Sequence, residues 1–209
     1  MDLTAPKLIQ DLPAANPDKD PITQFEEWFA FAQDANIYLP EAMTLATATS
    51  NGFPSARIVL LKEVSQKGFV FFTNYESRKG SELDSNPKAA LVLHWATLER
   101  QIRIEGSVER ITREESEAYF QSRPRRSRIG AWASYQSSIL RNRSYLEERV
   151  HYFEQKYADQ EIPLPERWGG FRILPKKIEF WQGRQNRLHE RLVYTKLPSG
   201  HWDTELLFP

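Results

Sequence analysis

The sequence predicts an α+β domain, an antiparallel β-barrel or sandwich with flanking helices. Three observations predict it. The chain has 209 residues, enough for one full-sized domain. Residues 43–111 carry five short β-type runs that follow one another closely along the chain. Apolar residues at helical spacing lie on both sides of this region, so helices should flank one mostly antiparallel sheet.

The amino-terminal part divides into an arm and a helix. Residues 1–20 are polar and contain three prolines, so we expect a flexible arm followed by one domain over 21–209. Asp20 and Pro21 are typical of an N-cap and a first helical position. Apolar side chains at helical spacing then predict an amphipathic helix over 21–36: Ile22, Phe25, Trp28, Phe29 and Ala32.

The central part predicts strands. The Asn51-Gly52 pair is a strong hairpin signal between strands over 43–50 and 57–62. A short helix is expected over 77–86, where Asn86-Pro87 stops it. Apolar runs predict three further strands, over 68–73, 89–95 and 101–108.

The run over 57–62 is typical of an apolar core strand with Arg57 at one end and Lys62 at the other. Side chains alternate along a strand, so a spacing of five places these two on opposite faces of the sheet. A charged group on the apolar face would be costly without a partner.

The carboxyl-terminal half alternates between helix and strand. Thr112 and Glu115 form a capping box that predicts a helix to about residue 121. Residues 123–143 contain six arginines and no acidic residue. The remaining elements are expected as a polar helix over 142–157, a strand over 168–182, and a final hairpin of 191–197 with 201–207.

Composition excludes several classes of protein. The 28 Lys and Arg balance the 28 Asp and Glu, so the chain lacks the global basic field of a nucleic-acid coat protein. No apolar run is long enough to span a bilayer, and no cysteine is present for a disulfide or a thiolate zinc site. The four histidines lack metal-ligand spacing, so no metal is expected. These features predict a cytoplasmic protein.

Basic residues beside hydroxyl donors are the main chemical signal. Guanidinium or ammonium groups with hydroxyls and helix amides are typical of phosphate sites. A solvated surface is the plainer interpretation of each cluster. An RNA-binding patch in the arginine-rich stretch, with Trp132 and Tyr135 interleaved, is another. The clusters are Arg57 and Lys62, Arg78-Lys79, and Arg123, Arg125, Arg126 and Arg128 with Ser127.

A resemblance to a known family rests on many ordered blocks. Residues 178–191, read as IEFWQGRQNRLHER, closely resemble the signature of the pyridoxine (pyridoxamine) 5′-phosphate oxidases. The resemblance covers nearly the whole chain from about Pro21. Matching blocks lie at residues 57–62, 72–74, 77–80, 100–103, 119–124, 129–132, 136–138 and 168–172.

The resemblance implies an FMN-binding split β-barrel that works as a homodimer, with cofactor sites between the subunits. The implied reaction oxidises pyridoxamine or pyridoxine 5′-phosphate to pyridoxal 5′-phosphate, with oxygen as acceptor and hydrogen peroxide as product. It implies no nucleic-acid or membrane partner. The two phosphorylated molecules would account for the two sets of basic residues.

Matching positions carry the family's site residues onto this chain. The positions implied for FMN are Arg57, Ile58, Val59, Leu60, Leu61, Lys62, Phe72, Thr73, Arg78, Lys79, Gln101, Gln136, Ser137, Trp181 and Arg191. Those implied for substrate are Lys62, Tyr119, Arg123, Ser127, Arg187, Leu188 and His189. Arg187 and His189 match the family's active-site pair.

Two positions depart from the family pattern. Glu190 stands where the signature usually has Asp or Asn, next to Arg191. Leu206 replaces a usual arginine near the carboxyl terminus, which bears on a terminal ion pair but on no matched site residue. Two alternatives remain: another split-barrel flavin oxidoreductase, and a non-enzymatic protein that binds vitamin B6 phosphates or RNA.

Overall fold

The computed structural model describes residues 14–209. Helix α1 (Pro21–Asp34) begins where the sequence predicts, because the Asp20 side chain accepts hydrogen bonds from the Ile22 and Thr23 amides. The expectation of a flexible arm over 1–20 falls mainly on residues 1–13, which lie outside the described residues. Within the described part of that segment, the Asn16 carbonyl accepts a hydrogen bond from the Tyr194 hydroxyl at 2.5 Å.

Nine antiparallel strands form one sheet in the described part of the chain. Along its main path the order is β2-β1-β5-β6-β7-β4-β3, and β8 pairs with both β7 and β9. The strands are β1 (Ala42–Ala48), β2 (Pro54–Leu60), β3 (Glu63–Ser65), β4 (Gly68–Asn74), β5 (Lys88–Trp95), β6 (Arg100–Arg110), β7 (Trp168–Gln182), β8 (Glu190–Lys196) and β9 (Trp202–Leu206).

The sheet curls into a half-barrel. Its two end strands, β2 and β3, are consecutive in the chain and are joined only by Leu61 and Lys62. The curl therefore brings β2 and β3, the two end strands, together, although no backbone hydrogen bonds pair them. The predicted α+β split barrel is confirmed, as are the hairpin at Asn51-Gly52 and the final hairpin of β8 with β9.

Two apolar clusters hold this arrangement. The larger one fills the curl beneath α1, where Trp28 and Phe180 meet edge to face at 5.2 Å between ring centroids. The smaller one lies beneath the later helices, around Phe120, Phe153 and Trp168. Strand β7 contributes to both clusters, so this one strand connects the barrel to the helical layer.

Four helices follow α1. They are α2 (Arg78–Ser85), α3 (Arg113–Ser122), α4 (Arg125–Ala133) and α5 (Arg143–Lys156). The predicted capping box opens α3. Helix α4 was not predicted, because its arginines leave only a short apolar pattern, with Ile129 and Ala133 buried. No helix within residues 14–209 is long and apolar enough to cross a membrane.

The prediction of a core strand over 57–62 was wrong. Strand β2 ends at Leu60 and lies at the edge of the sheet, where 63% of Ile58 is exposed. Within residues 57–62, only Leu61 is buried. The prediction that Arg57 and Lys62 occupy opposite faces assumed one continuous strand, but the chain leaves the ladder after Leu60, which ends the alternation before Lys62. Both residues line one cavity.

Candidate active site

One cavity of about 640 Å³ collects most of the predicted site residues. Its walls come from β2, the end of β4, the start of α2, the end of α3 with the residue after it, the segment after α4, and the start of β7. The predicted residues that line it are Arg57, Ile58, Val59, Leu60, Lys62, Phe72, Thr73, Arg78, Lys79, Tyr119, Arg123, Gln136 and Ser137. Leu61 points into the core instead, so a ligand could reach only its backbone.

The cavity is strongly basic. Among the described residues, its lining has five Lys and Arg side chains and no carboxylate. Lys79 is buried, and its Nζ donates to Gln136 Oε1 at 3.1 Å and to Thr73 Oγ1 at 3.3 Å. Desolvation lowers the pKa of Lys79, and the positive charge of Arg57 lowers it further. A bound anion would relieve both effects, so the cavity is suited to a phosphate.

A buried carboxylate behind the wall orients the arginines. Glu82 Oε1 accepts from Arg78 Nε at 2.9 Å, and Oε2 accepts from Arg57 Nη2 at 3.2 Å. Ser55 and Thr47 donate to the same Oε2. Burial alone would raise the pKa of Glu82, but these four donors lower it to about 2. Glu82 is therefore a fixed negative charge.

An aromatic stack closes another side of the cavity. Phe72 and Tyr119 stack with their ring centroids 3.8 Å apart, and Trp168 stacks on Phe72 at 5.4 Å. The guanidinium of Arg123 lies 4.6 Å from the centroid of the Trp168 ring. Its Nη1 is buried and has no hydrogen-bond partner among the described residues. Burial lowers the pKa of Arg123 and raises that of Tyr119.

A buried guanidinium nitrogen without an acceptor is costly, by about 1–3 kcal/mol or more. An anionic ligand in the cavity would supply the acceptor that Arg123 lacks. Ser127 lies beside this position, in an adjoining cavity of about 380 Å³ that Arg123 also lines. Arg123 therefore shares one cavity with Tyr119 and the adjoining one with Ser127.

The remaining predicted residues form a second group at the other end of β7. Gln101 pairs with Trp181 across β6 and β7, and Trp181 pairs with Arg191 across β7 and β8. The rings of His189 and Trp181 are 4.7 Å apart. Arg191 is held by Glu179, with Nε to Oε1 at 2.8 Å. Arg187 and Leu188 follow in the turn before β8, where Leu188 is exposed.

One chain does not join the two groups into a single cavity. Trp168 lines the first cavity and Trp181 belongs to the second group, and the two residues lie at opposite ends of β7. The strand between them represents roughly 40 Å of extended chain. A site that uses both groups would need a second copy of the chain.

The departures from the family pattern have local consequences. Glu190 forms an ion pair with Arg184, at 2.8 Å between Oε2 and Nη2, and leaves Arg191 on Glu179. Leu206 is 80% exposed. Arg191 Nη1 donates instead to the Phe208 carbonyl at 3.1 Å, which ties the carboxyl terminus to β8.

Sequence reasoning missed some residues of the cavity. Ser55 and Ala56 precede Arg57 on β2, and Trp168 begins the last matching block. Ser55 could have been found because it lies two residues from Arg57 and therefore on the same side of the strand. Glu82 was missed as well: its spacing of four from Arg78 is a local signal for an ion pair on a helix, but its other partners, Thr47, Ser55 and Arg57, are 25 to 35 residues away.

Two family models cover most of the chain. Residues 30–157 match the model described as pyridoxamine 5′-phosphate oxidase. Residues 168–209 match the model described as the pyridoxine 5′-phosphate oxidase C-terminal dimerisation region. The chain belongs to the pyridoxamine 5′-phosphate oxidase family. The cavity lies within the first match except for Trp168, and the Trp181 group lies in the second except for Gln101.

Close relatives carry the same name. The pyridoxine/pyridoxamine 5′-phosphate oxidase of Psychromonas ingrahamii is 58% identical over 190 residues, which cover 91% of this chain and 87% of the relative. That of Trichormus variabilis is 52% identical over 208 residues, which cover 100% of this chain and 97% of the relative. The protein is therefore an enzyme of the pyridoxine/pyridoxamine 5′-phosphate oxidase kind.

Solved structures share the fold. PhzG from Burkholderia lata, crystallised with tetrahydrophenazine-1-carboxylic acid, superposes with a TM-score of 0.90 at 32% identity, over 95% of this chain and 98% of that chain. A pyridoxamine 5′-phosphate oxidase-related, FMN binding protein from Nostoc punctiforme gives 0.73 at 16% identity, over 93% of this chain and 100% of that chain. The second likeness shows the fold alone.

Proposed function

We propose that this protein oxidises pyridoxamine 5′-phosphate and pyridoxine 5′-phosphate to pyridoxal 5′-phosphate, with FMN as cofactor, oxygen as acceptor and hydrogen peroxide as product. The observation that carries the proposal is the basic cavity: buried Lys79 and Arg123 both line it, and among the described residues Arg123 Nη1 has no hydrogen-bond partner and the lining has no carboxylate. The relatives' shared name supports this choice of substrates.

The residues of the cavity fit the phosphate end of FMN. Arg57, Arg78 and Lys79 supply positive charge on one side, and Thr73 and Ser137 line the same wall. Lys79 is already held by Thr73 and Gln136, so little side-chain entropy is lost when a phosphate binds. These residues would hold FMN, and Gln101, Trp181 and Arg191 of a second chain would complete its site.

A second phosphate position lies beside the first. Arg123 lines the first cavity with Tyr119 and Lys62, and it lines the adjoining cavity with Ser127. Because Arg123 Nη1 has no partner in the described part of the chain, this position also favours an anion. We assign it to the substrate phosphate, so that cofactor and substrate lie side by side.

The protein's task is to place the two molecules and to control protons. FMN, when bound, supplies the hydride acceptor for the substrate's 4′ carbon, and oxygen reoxidises it. Arg123 and its neighbours anchor the substrate by its phosphate, which supplies proximity. Arg187 would fix the ring and its oxygen substituent, and His189 would orient the 4′ amine or alcohol by a hydrogen bond.

A homodimer is part of the proposal. Arg187 and His189 lie at the end of β7 that is distant from the cavity, in the region matched to a dimerisation model. The apolar outer edge at Ile58 and Leu60, exposed in one chain, adjoins the cavity and would be covered in such a dimer. Light scattering should give twice the mass of one chain.

A second candidate is a related flavin oxidoreductase with a different substrate. The similarity to PhzG, whose structure holds a carboxylic acid without a phosphate, supports it. Parallel assays with tetrahydrophenazine-1-carboxylic acid and pyridoxamine 5′-phosphate separate the two. We expect turnover of pyridoxamine 5′-phosphate only, because the Arg123 region suits a phosphate, which carries more charge and more acceptor oxygens than the single carboxylate of the phenazine.

The decisive experiment uses the purified protein. It should be yellow, and under anaerobic conditions its flavin absorbance should bleach when pyridoxamine 5′-phosphate is added. Unphosphorylated pyridoxamine at the same concentration is the control and should bleach it much more slowly. Colourless protein without affinity for FMN would refute the proposal.

A further inference from the structure

Glu82 is the carboxylate that organises the basic cavity, although it does not line the cavity itself. Only 5% of its side chain is exposed, and its two oxygens receive donors from β1, β2 and α2. Two of those donors are the guanidiniums of Arg57 and Arg78, which do line the cavity. One buried group thus contacts two cations of the ligand wall.

The contact with Arg78 determines which of its nitrogens face the cavity. Arg78 donates only its Nε to Glu82, and no described residue accepts a hydrogen bond from its two terminal amino groups. The Arg78 side chain is itself largely exposed, and Glu82 is its one hydrogen-bond partner among residues 14–209. A guanidinium held through Nε presents both amino groups as a planar fork, the geometry that binds two phosphate oxygens at once.

The contact with Arg57 has an electrostatic role. Arg57 raises the cost of a charged Lys79, whose pKa it lowers, and Glu82 acts in the opposite direction. Glu82 thus offsets the repulsion between Arg57 and Lys79, and it is in direct contact with Arg57 and Arg78. The carboxylate therefore keeps the cations assembled before a ligand arrives.

We propose that Glu82 is a positioning residue for the cofactor phosphate: it holds Arg57 and Arg78 in a geometry ready for binding. This inference rests on the proposed function, because it takes FMN as the ligand of this wall. It assigns to Glu82 an effect on affinity for the phosphate end, separate from the chemistry at the substrate ring.

The test compares FMN and riboflavin, which differ only by the phosphate, on apoprotein carrying Glu82→Gln. Flavin fluorescence quenching should show FMN affinity reduced about tenfold or more, with riboflavin affinity changed less than twofold. At saturating FMN, kcat and the KM for pyridoxine 5′-phosphate should stay within about twofold of wild type. Glu115→Gln is the matched control, since Glu115 pairs with Arg172 away from the cavity. It should leave affinity for both flavins unchanged.

A double-mutant cycle separates positioning from general destabilisation. If Glu82 acts partly through Arg78, Glu82→Gln should weaken FMN binding less in an Arg78→Ala background than in wild type. Equal losses in both backgrounds, or equal losses for FMN and riboflavin, would overturn the proposal. Wild-type protein that binds no FMN would instead refute the proposed function.

A variant that leaves Glu82 in place keeps the test open should Glu82→Gln not fold. Arg78→Lys retains the charge but has no Nε donor for the carboxylate and no fork. We expect it to lose most of the FMN affinity that Arg78→Ala loses. If Arg78→Lys instead bound FMN with near wild-type affinity, the charge alone would matter, and the proposal would fail.

Discussion

The backbone N–H of Arg184 donates a hydrogen bond to Nδ1 of His189 at 3.1 Å. A ring nitrogen that accepts a hydrogen bond carries no proton, so neutral His189 must hold its proton on Nε2. The contact also fixes the ring beside Trp181. His189 can then act as a hydrogen-bond donor through Nε2 to a ligand.

We expect NMR to detect this tautomer. Long-range proton–nitrogen correlation spectra of the neutral ring should place the His189 proton on Nε2. His201, which is exposed and lies near the final hairpin, serves as the internal comparison. A His189 proton found on Nδ1 would contradict the hydrogen bond and the role assigned to the ring.

Replacement of Lys79 should affect the cofactor. Lys79→Ala removes a buried charge beside Thr73 and Gln136, and one charge-assisted contact is worth about 1.5–3 kcal/mol. FMN affinity should therefore fall about 10- to 150-fold in a titration, while the substrate KM at saturating FMN changes little. Lys67→Ala, at an exposed turn, is the control. A change of only a few tenths of a kcal/mol in the free energy of FMN binding would favour the interpretation that Lys79 belongs to a solvated surface and not to a phosphate site.

Replacement of Arg123 should affect the substrate instead. Arg123→Ala should retain FMN and raise the KM for pyridoxine 5′-phosphate about 10- to 150-fold, from the same range of contact energies. The penalty should mostly disappear with unphosphorylated pyridoxine. Arg126 is exposed in the same arginine-rich stretch, so Arg126→Ala should change neither FMN binding nor the KM for pyridoxine 5′-phosphate. Intact kinetics with weakened, salt-sensitive RNA binding would favour the RNA-binding interpretation.

Mixed dimers test whether each site is shared between chains. We expect Arg123→Ala and Arg187→Ala homodimers each to lose roughly tenfold or more in kcat/KM. In a heterodimer with one variant per chain, a shared site places both changes in one site and leaves the other intact. Purified heterodimers should therefore recover about half of the wild-type activity. No recovery would mean that both residues act from the same chain.

Acid should expose the contribution of Glu82 to stability. The pKa of Glu82 is about 2 in the folded protein, against an ordinary value of 4.5 for a glutamate. Its ionised carboxylate therefore stabilises the fold fully at pH values above 4.5. That stability is lost as the pH falls from about 5 to 2, by roughly 3 kcal/mol. Denaturant titrations should show a shallower decline over this window for Glu82→Gln than for wild type. Parallel declines would contradict the assigned pKa.

The elements of the barrel could be predicted because their signals are local. Asn51-Gly52 fixes a hairpin, and Thr112 with Glu115 caps a helix, without help from the rest of the chain. The order of the strands could not be predicted in this way. The pairings of β1 with β5 and of β4 with β7 join segments that are distant in sequence.

The candidate site shows the same division. The basic residues could be identified from their neighbours in sequence, and most of them line one cavity. The edge position of β2 could not be identified from the sequence, because an apolar run such as Ile58 to Leu61 suits a core strand equally well. In the structure, Ile58 and Leu60 of this run are exposed and line the cavity instead of packing in the core.

The open strand β2 has a consequence for how the protein is made. A newly folded chain carries Ile58 and Leu60 on a strand with one free hydrogen-bonding side, and such strands pair readily with other chains. Productive encounter of two folded copies thus competes with aggregation during synthesis and refolding. The yield of active protein should depend on how quickly that encounter removes the strand from solvent.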